Sequence, residues 1–284
     1  MAEILQGGPV AAALAEQAGN QIKALRQQGI IPTLAIVRIG DNPDDIAYEK
    51  SATKRCEAND AMVKHLVFAA DIDEDVLIAN IKEINRDDEI DGCLLLKPLP
   101  QSLNEYRLCT ALDPAKDIDG ITPGSLAAVF GAGGSGFPPC TAQACIEILQ
   151  YYGVALSGSR VVVVGRSLVV GKPVAMLLLA QNATVTVCHS KSRDLPTVVR
   201  QADIVIAALG REKFLGPVYF RPGQIVIDVG INFDQNGKMC GDVDFMATEP
   251  MVRAITPVPG GVGAVTNAVL LKQLTEAATK RVVK

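Results

Sequence analysis

The chain has 284 residues, 49% of them apolar, and a net charge of −4 at neutral pH. That length holds one large core or two modest ones, with two domains the more usual division. The acidic balance argues against nucleic acid or an anionic membrane as the main partner, and no stretch approaches the ~20 unbroken apolar residues of a membrane span. Seven cysteines, at 56, 93, 109, 140, 145, 188 and 240, form no CxxC pair, which fits a reduced cytoplasmic protein with buried thiols. The opening "MAEILQGGPVAAALAEQ" carries an early glutamate and no basic segment, so a signal peptide is not expected. Two histidines, His65 and His189, do not make a histidine-rich metal centre, and no metal is expected. Aromatics at 4% and the absence of tryptophan disfavour a base-stacking surface.

In chain order, residues 10–28 read as an amphipathic helix and "TLAIVRIG" (33–40) as a buried strand ending in glycine. A helix is expected over 44–59, a strand over 63–70, a helix over 73–86, and a strand over 91–100 that runs into the proline-stiffened "KPLP". "FGAGGSGFPPC" (130–140) is dense in Gly and Pro and is the expected domain boundary. A helix over 141–152 then carries the chain onward. Alternating helices and strands predict a parallel α/β architecture.

The block 159–195, "SRVVVVGRSLVVGKPVAMLLLAQNATVTVCHSKSRDL", is the most informative. Four valines form a strand, the chain turns through Gly165 and Gly171 into a helix with Pro173 early, and "ATVTVCHS" supplies the next strand. Such a βαβ unit places a pyrophosphate near a helix N-terminus, although the spacing is G-x5-G rather than G-x-G-x-x-G. A βαβ unit without a ligand is the plainer alternative. Where NAD-specific folds put an acidic residue, this chain has Ser190, Lys191, Ser192 and Arg193, with Arg166 in the glycine turn. Cations and hydroxyls there suit a 2′-phosphate, so NADP is favoured over NAD; otherwise Lys191 and Arg193 are ordinary loop charges. "ADIVIAALG" (202–210) and "GQIVIDVGIN" (223–232) read as further core strands. "ITPVPGGVGAVT" (255–266) is either a loop whose glycines admit a ligand or a tight interdomain turn.

"IGDNPDDIAY", "KDIDGITP", "PPCTAQA", "VVVVGRSLVVGKPVAMLLL", "DVGIN", "GDVDF" and "TPVPGGVGAVT" occur in this order. Together they resemble the bifunctional methylenetetrahydrofolate dehydrogenase/cyclohydrolase family over nearly the whole chain. The resemblance implies an N-terminal α/β folate-binding domain, 1–140, completed by a C-terminal helix at 266–284. It implies a Rossmann-like NAD(P) domain over 141–265, a cleft between the two, and a homodimer. It also implies tetrahydrofolate derivatives as substrates. The family oxidises 5,10-methylenetetrahydrofolate to 5,10-methenyltetrahydrofolate, and most members then hydrolyse that product to 10-formyltetrahydrofolate. By position, Tyr48 would stack on the folate and Asp119 would bond the pterin. Pro259, Gly260 and Gly261 would wall the substrate site. Arg166, Ser167 and Ser190 would hold the ribose phosphate, beside Gly165, Gly171, Lys191, Arg193 and Ile231.

The chain departs from the family where the chemistry of hydrolysis lies. The motif Y-x-x-x-K has Ala52 in place of its lysine, and the glutamine that partners this lysine is Leu96, followed by Lys97. Smaller departures are Ala142, Ala144 and Ala264. At about 100° per residue, Ala52 shares the face of Tyr48, whereas Lys50 and Lys54 point away toward solvent. Arg55 returns to that face but stays protonated and is a poor base. Lys97 is the better substitute, although neighbours on an extended segment face opposite ways. Hydride transfer needs positioned reactants, while hydrolysis needs managed protons, so oxidation with weak or absent hydrolysis is expected. The alternatives are a bifunctional enzyme with Lys97 as relocated base and a silent folate- or nucleotide-binding relative.

Overall fold

The computed structural model describes residues 1–131 and 133–281; residue 132 of the expected boundary loop and the last three residues of the expected C-terminal helix lie outside the described residues. The first half of the chain runs β1 (Glu3–Ile4), α1 (Gly7–Gln27), β2 (Thr33–Ile39), α2 (Pro43–Glu57), β3 (Met62–Phe68), α3 (Glu74–Arg86), β4 (Gly92–Leu95), α4 (Glu105–Ala111), α5 (Pro123–Gly131) and α6 (Cys140–Tyr151). The second half runs β5 (Arg160–Val164), α7 (Gly171–Ala180), β6 (Thr184–Cys188), α8 (Leu195–Arg200), β7 (Ile204–Ala207), β8 (Ile225–Asp228), β9 (Asn232–Phe233), β10 (Met239–Cys240), α9 (Phe245–Thr248), β11 (Ala254–Ile255) and α10 (Val262–Thr279). Two compact units result: residues 13–140 with 267 onward, and residues 1–12 with 141–266. The first twelve residues fall in the second of these units because β1 pairs in parallel with β11, Glu3 opposite Ala254.

In the first unit, β2 lies between β3 and β4, all parallel. A central parallel strand is covered on both faces, and "TLAIV" is accordingly apolar without alternation. Leu34, Ala35, Ile36 and Val37 are each at most 1% exposed. Burying a Leu or Ile of this kind stabilises by about 1.5–3 kcal/mol. The sequence "GDNPDD" starts α2 for local reasons. The Asn42 side chain accepts the Asp44 N–H at 2.9 Å, Pro43 needs no N–H partner, and Asp44 and Asp45 favour the helix N-terminus.

In the second unit, the sheet order is β1-β11-β8-β7-β5-β6, and every pairing is parallel. The chain leaves β5 for β6 on one side, then returns across it to β7 on the other. That reversal opens a crevice beyond the carboxyl ends of β5 and β7, the position where doubly wound sheets bind ligands. Val161, Val162, Val163 and Val164 of β5 are nearly or fully buried.

Candidate active site

The first unit gathers Tyr48, Asp119 and Cys140. Helix α2 buries Asp45, Glu49, Ala52 and Cys56 along one face, and Tyr48 lies half-buried beside that stripe. Glu49 fixes the helix to the sheet: its carboxylate accepts from Arg38 Nε at 2.7 Å and meets His65 Nδ1 at 2.6 Å. Burial works against that charge, but the bonds to His65 and Arg38 outweigh it and hold the Glu49 carboxyl below its ordinary range.

Asp119 belongs to the turn "KDIDG", whose two aspartates have different duties. Asp117 is fully buried and accepts the N–H groups of Ile121 at 3.1 Å and Thr122 at 2.7 Å, so it is a turn-former. Asp119 instead meets the thiol of Cys140. Burial, reinforced by the Asp117 charge, pushes the Asp119 carboxyl up to about 7. The Cys140 bond and the cation of Lys97 pull the other way. Burial also raises the Tyr48 hydroxyl, with Asp119 and then Cys140 adding to the effect. Burial and the Asp119 charge keep the Cys140 thiol protonated well above its usual range.

Gln273 of α10 braces this cluster from behind. Its amide nitrogen reaches the carbonyl of Ile118 at 2.6 Å, the carbonyl of Pro138 at 3.2 Å and Cys140 Sγ at 3.4 Å. Sequence reasoning did not single out Cys140 or Gln273. Cys140 stood in the "PPCTAQA" motif, whereas a glutamine in an apolar helix carries no signal until the fold aims it at two carbonyls.

Ala52 is 1% exposed and Leu96 5% exposed, so neither position presents a titratable group. Lys50 and Lys54 are exposed. Lys97 is partly exposed, and its ammonium donates to Glu105 Oε1 at 2.9 Å.

The second unit gathers the remaining residues named from the sequence. Gly165 follows β5 with φ of 139°, and a Cβ there would stand 2.0 Å from the Ala208 carbonyl oxygen at the end of β7. A Cβ on Gly171 would stand 2.3 Å from the Gly165 oxygen, so the turn closes only with two glycines. Ser167 Oγ accepts the N–H groups of Val170 at 3.1 Å and Gly171 at 3.3 Å, capping the start of α7. That bonding gives Ser167 a structural task beside the ligand-binding one expected of it. Arg166, Ser190, Lys191 and Arg193 are all exposed. The turn after β6 is held internally: Ser192 Oγ accepts the His189 N–H at 2.9 Å, and His189 Nδ1 accepts the Lys191 N–H at 3.1 Å.

Asp242 organises the far side of the crevice. Its carboxylate accepts from Leu209 at 2.5 Å, Gly210 at 3.1 Å and Arg211 at 2.7 Å, and from the Asn232 side chain at 3.0 Å. Ile231, beside Asn232, is 61% exposed. Pro259 and Gly260 are exposed and Gly261 is buried, and the Gly260 carbonyl accepts the Gly7 N–H at 2.8 Å. The glycine turn, the helix start and the exposed cations fit a phosphorylated dinucleotide.

These features define a two-unit α/β enzyme with a doubly wound nucleotide-type unit and a second unit carrying a buried carboxylate beside a tyrosine. Residues 5–119 match the catalytic-domain model of tetrahydrofolate dehydrogenase/cyclohydrolase, and residues 139–282 match the NAD(P)-binding-domain model of the same enzyme. The bifunctional protein FolD of Carboxydothermus hydrogenoformans is 50% identical over 279 residues, covering 98% of this chain and 97% of that one. A crystal structure of the bifunctional FolD methylenetetrahydrofolate dehydrogenase/cyclohydrolase from Campylobacter jejuni superposes with a TM-score of 0.95 at 36% identity, covering 99% and 100% of the two chains. The Trypanosoma brucei dehydrogenase-cyclohydrolase, solved with NADP and an inhibitor, gives a TM-score of 0.90 at 32% identity over 100% and 99%. The chain belongs to the tetrahydrofolate dehydrogenase/cyclohydrolase family.

Proposed function

We propose that the protein oxidises 5,10-methylenetetrahydrofolate to 5,10-methenyltetrahydrofolate with NADP+ and hydrolyses the product weakly or not at all. NADP+, when bound, supplies the acceptor for the hydride. Arg166, Ser190, Lys191 and Arg193 hold its 2′-phosphate, while the Gly165–Gly171 turn and the start of α7 receive the pyrophosphate. Pro259, Gly260, Gly261 and Ile231 complete the walls. Tyr48 stacks on the folate and Asp119 accepts from the pterin. Removing a hydride from the methylene carbon leaves a delocalised cation and requires no proton transfer from water, so positioning and charge suffice.

Hydrolysis demands more. Water must lose a proton as it attacks, and the tetrahedral adduct must gain one to open, steps where a placed acid–base group is worth about 10²–10⁴-fold. The observation that carries the reading is that the two positions expected to serve this purpose are the buried, non-titrating Ala52 and Leu96, with the Lys97 ammonium engaged by Glu105. The competing reading, a bifunctional enzyme using Lys97 as base, draws on the names of its relatives. Steady-state oxidation and methenyltetrahydrofolate hydrolysis are measured on one sample, with NADP+ and with NAD+. Oxidation that prefers NADP+, with hydrolysis at least 100-fold slower, is expected; comparable rates that fall in Lys97→Ala establish the relocated base.

A homodimer in the cytoplasm completes the proposal. Among the described residues no helix is long and apolar enough to cross a membrane, and all seven cysteines are buried free thiols. The edge strand β6 and the exposed Leu179 and Val187 supply an apolar face for a second copy, which sedimentation equilibrium tests.

A further inference from the structure

Lys97 stands where the family keeps a leucine, and its surroundings give it a task other than proton transfer. The strand that leads to it, β4, is bridged in parallel to the Asp119 turn: Cys93 pairs with Asp117, and its N–H donates to the Lys116 carbonyl at 2.6 Å. Helix α4 covers the same place and contributes Glu105 to the Lys97 ammonium at 2.9 Å. The buried thiol of Cys109, also on α4, feels Lys97, Glu105 and Asp117 together, so these four groups form one cluster. The titratable groups facing Asp119 are Tyr48 from α2, Cys140 from α6, Asp117 from its own turn, and Lys97 after β4. Lys97 is the cation in that set, and it opposes both the burial of Asp119 and the adjacent Asp117 charge.

We propose that Lys97, anchored by Glu105, is a positioning cation that keeps the Asp119 carboxylate ionised for oxidation, and is not a base for hydrolysis. The anchor matters in two ways. Glu105 fixes the ammonium at one place near the turn, and its own negative charge tempers the field that Lys97 exerts there. A lysine whose proton is held in an ion pair is a poor acceptor for a proton from water, because releasing it leaves Glu105 uncompensated. The same ion pair costs nothing to a role that is purely electrostatic. This inference rests on the assignment of Asp119 to the pterin.

The test is the pH dependence of kcat/KM for methylenetetrahydrofolate oxidation at saturating NADP+, in the natural enzyme and in Lys97→Leu, Glu105→Gln and Asp119→Asn. The natural enzyme should show a limb near pH 7, set by Asp119. Removing the cation in Lys97→Leu moves that limb to higher pH by about 1 unit. Removing the counter-charge in Glu105→Gln moves it the other way. Opposite displacements are the signature, since a general loss of packing would lower the whole profile without moving its limb. A limb that disappears in Asp119→Asn yet stays fixed in both other variants, or moves the same way in both, overturns the inference and leaves the site assignment standing. A limb that persists unchanged in Asp119→Asn overturns the site assignment itself. The positions of Lys97 and Glu105 are partly or largely exposed, with side chains 25% and 55% accessible, so both variants should fold; melting curves at each pH verify it.

Discussion

The two units hold their ligand-facing groups by opposite means. In the second unit the recognition elements are backbone: a glycine turn that closes against the Ala208 carbonyl, a capped helix start, and a loop braced by His189 and Ser192, with exposed Arg166, Lys191 and Arg193 around them. In the first unit they are half-buried side chains whose protonation is set by burial and by one another, namely Tyr48, Asp119 and Cys140. A backbone site tolerates little change in shape but much change in surface charge. A buried side-chain cluster responds to a single charge placed or removed near it. The absence of a titrating group at Ala52 and Leu96 therefore changes chemistry in the first unit while leaving the second untouched.

The sharpest way to break that contrast is to restore what the first unit lacks. Ala52→Lys combined with Leu96→Gln should raise methenyltetrahydrofolate hydrolysis by about 10²–10⁴-fold, read in a steady-state assay, with oxidation changed far less. Because Ala52 is 1% exposed, the added lysine should also lower the melting temperature. In the second unit, Arg166→Ala should raise KM for NADP+ by about 10- to 100-fold while leaving KM for NAD+ nearly unchanged, which corresponds to one charge-assisted bond to the 2′-phosphate. A KM that rises equally for both cofactors would move Arg166 away from that phosphate.

A third effect is thermodynamic. Asp119 titrates near 7 in the folded chain against about 3.9 unfolded, so the folded form holds its proton over that interval and stability falls as pH rises through it. Asp119→Asn removes this loss. Its melting temperature should match the natural protein near pH 4 and exceed it by about 2 °C or more above pH 7, even as oxidation declines. Smallest of all, Lys50→Ala and Lys54→Ala sit on the exposed side of α2 and should change oxidation less than about twofold and stability by less than about 0.5 kcal/mol.

How much of this is readable from residues alone follows the same division. The βαβ block announces itself through four valines, two glycines and an early proline, since backbone turns need specific residue types. The position of Ala52 on the Tyr48 face follows from helical periodicity once α2 is recognised. The cluster around Asp119 is not readable in that way. Whether Asp117 or Asp119 is the turn-former depends on which carboxylate meets the N–H groups of Ile121 and Thr122. The pairing of Lys97 with Glu105, and of Gln273 with the Ile118 carbonyl 155 positions away, depends on tertiary packing that no local pattern encodes. Strand β1 was likewise invisible, being two residues long and paired only with β11.

The most direct test of the account is the ratio of methenyltetrahydrofolate hydrolysis to methylenetetrahydrofolate oxidation, measured on one purified sample of the natural protein under the same conditions. The account predicts hydrolysis at least 100-fold below oxidation, rising when lysine and glutamine are placed at positions 52 and 96. Comparable rates for the two reactions in the natural protein would contradict it.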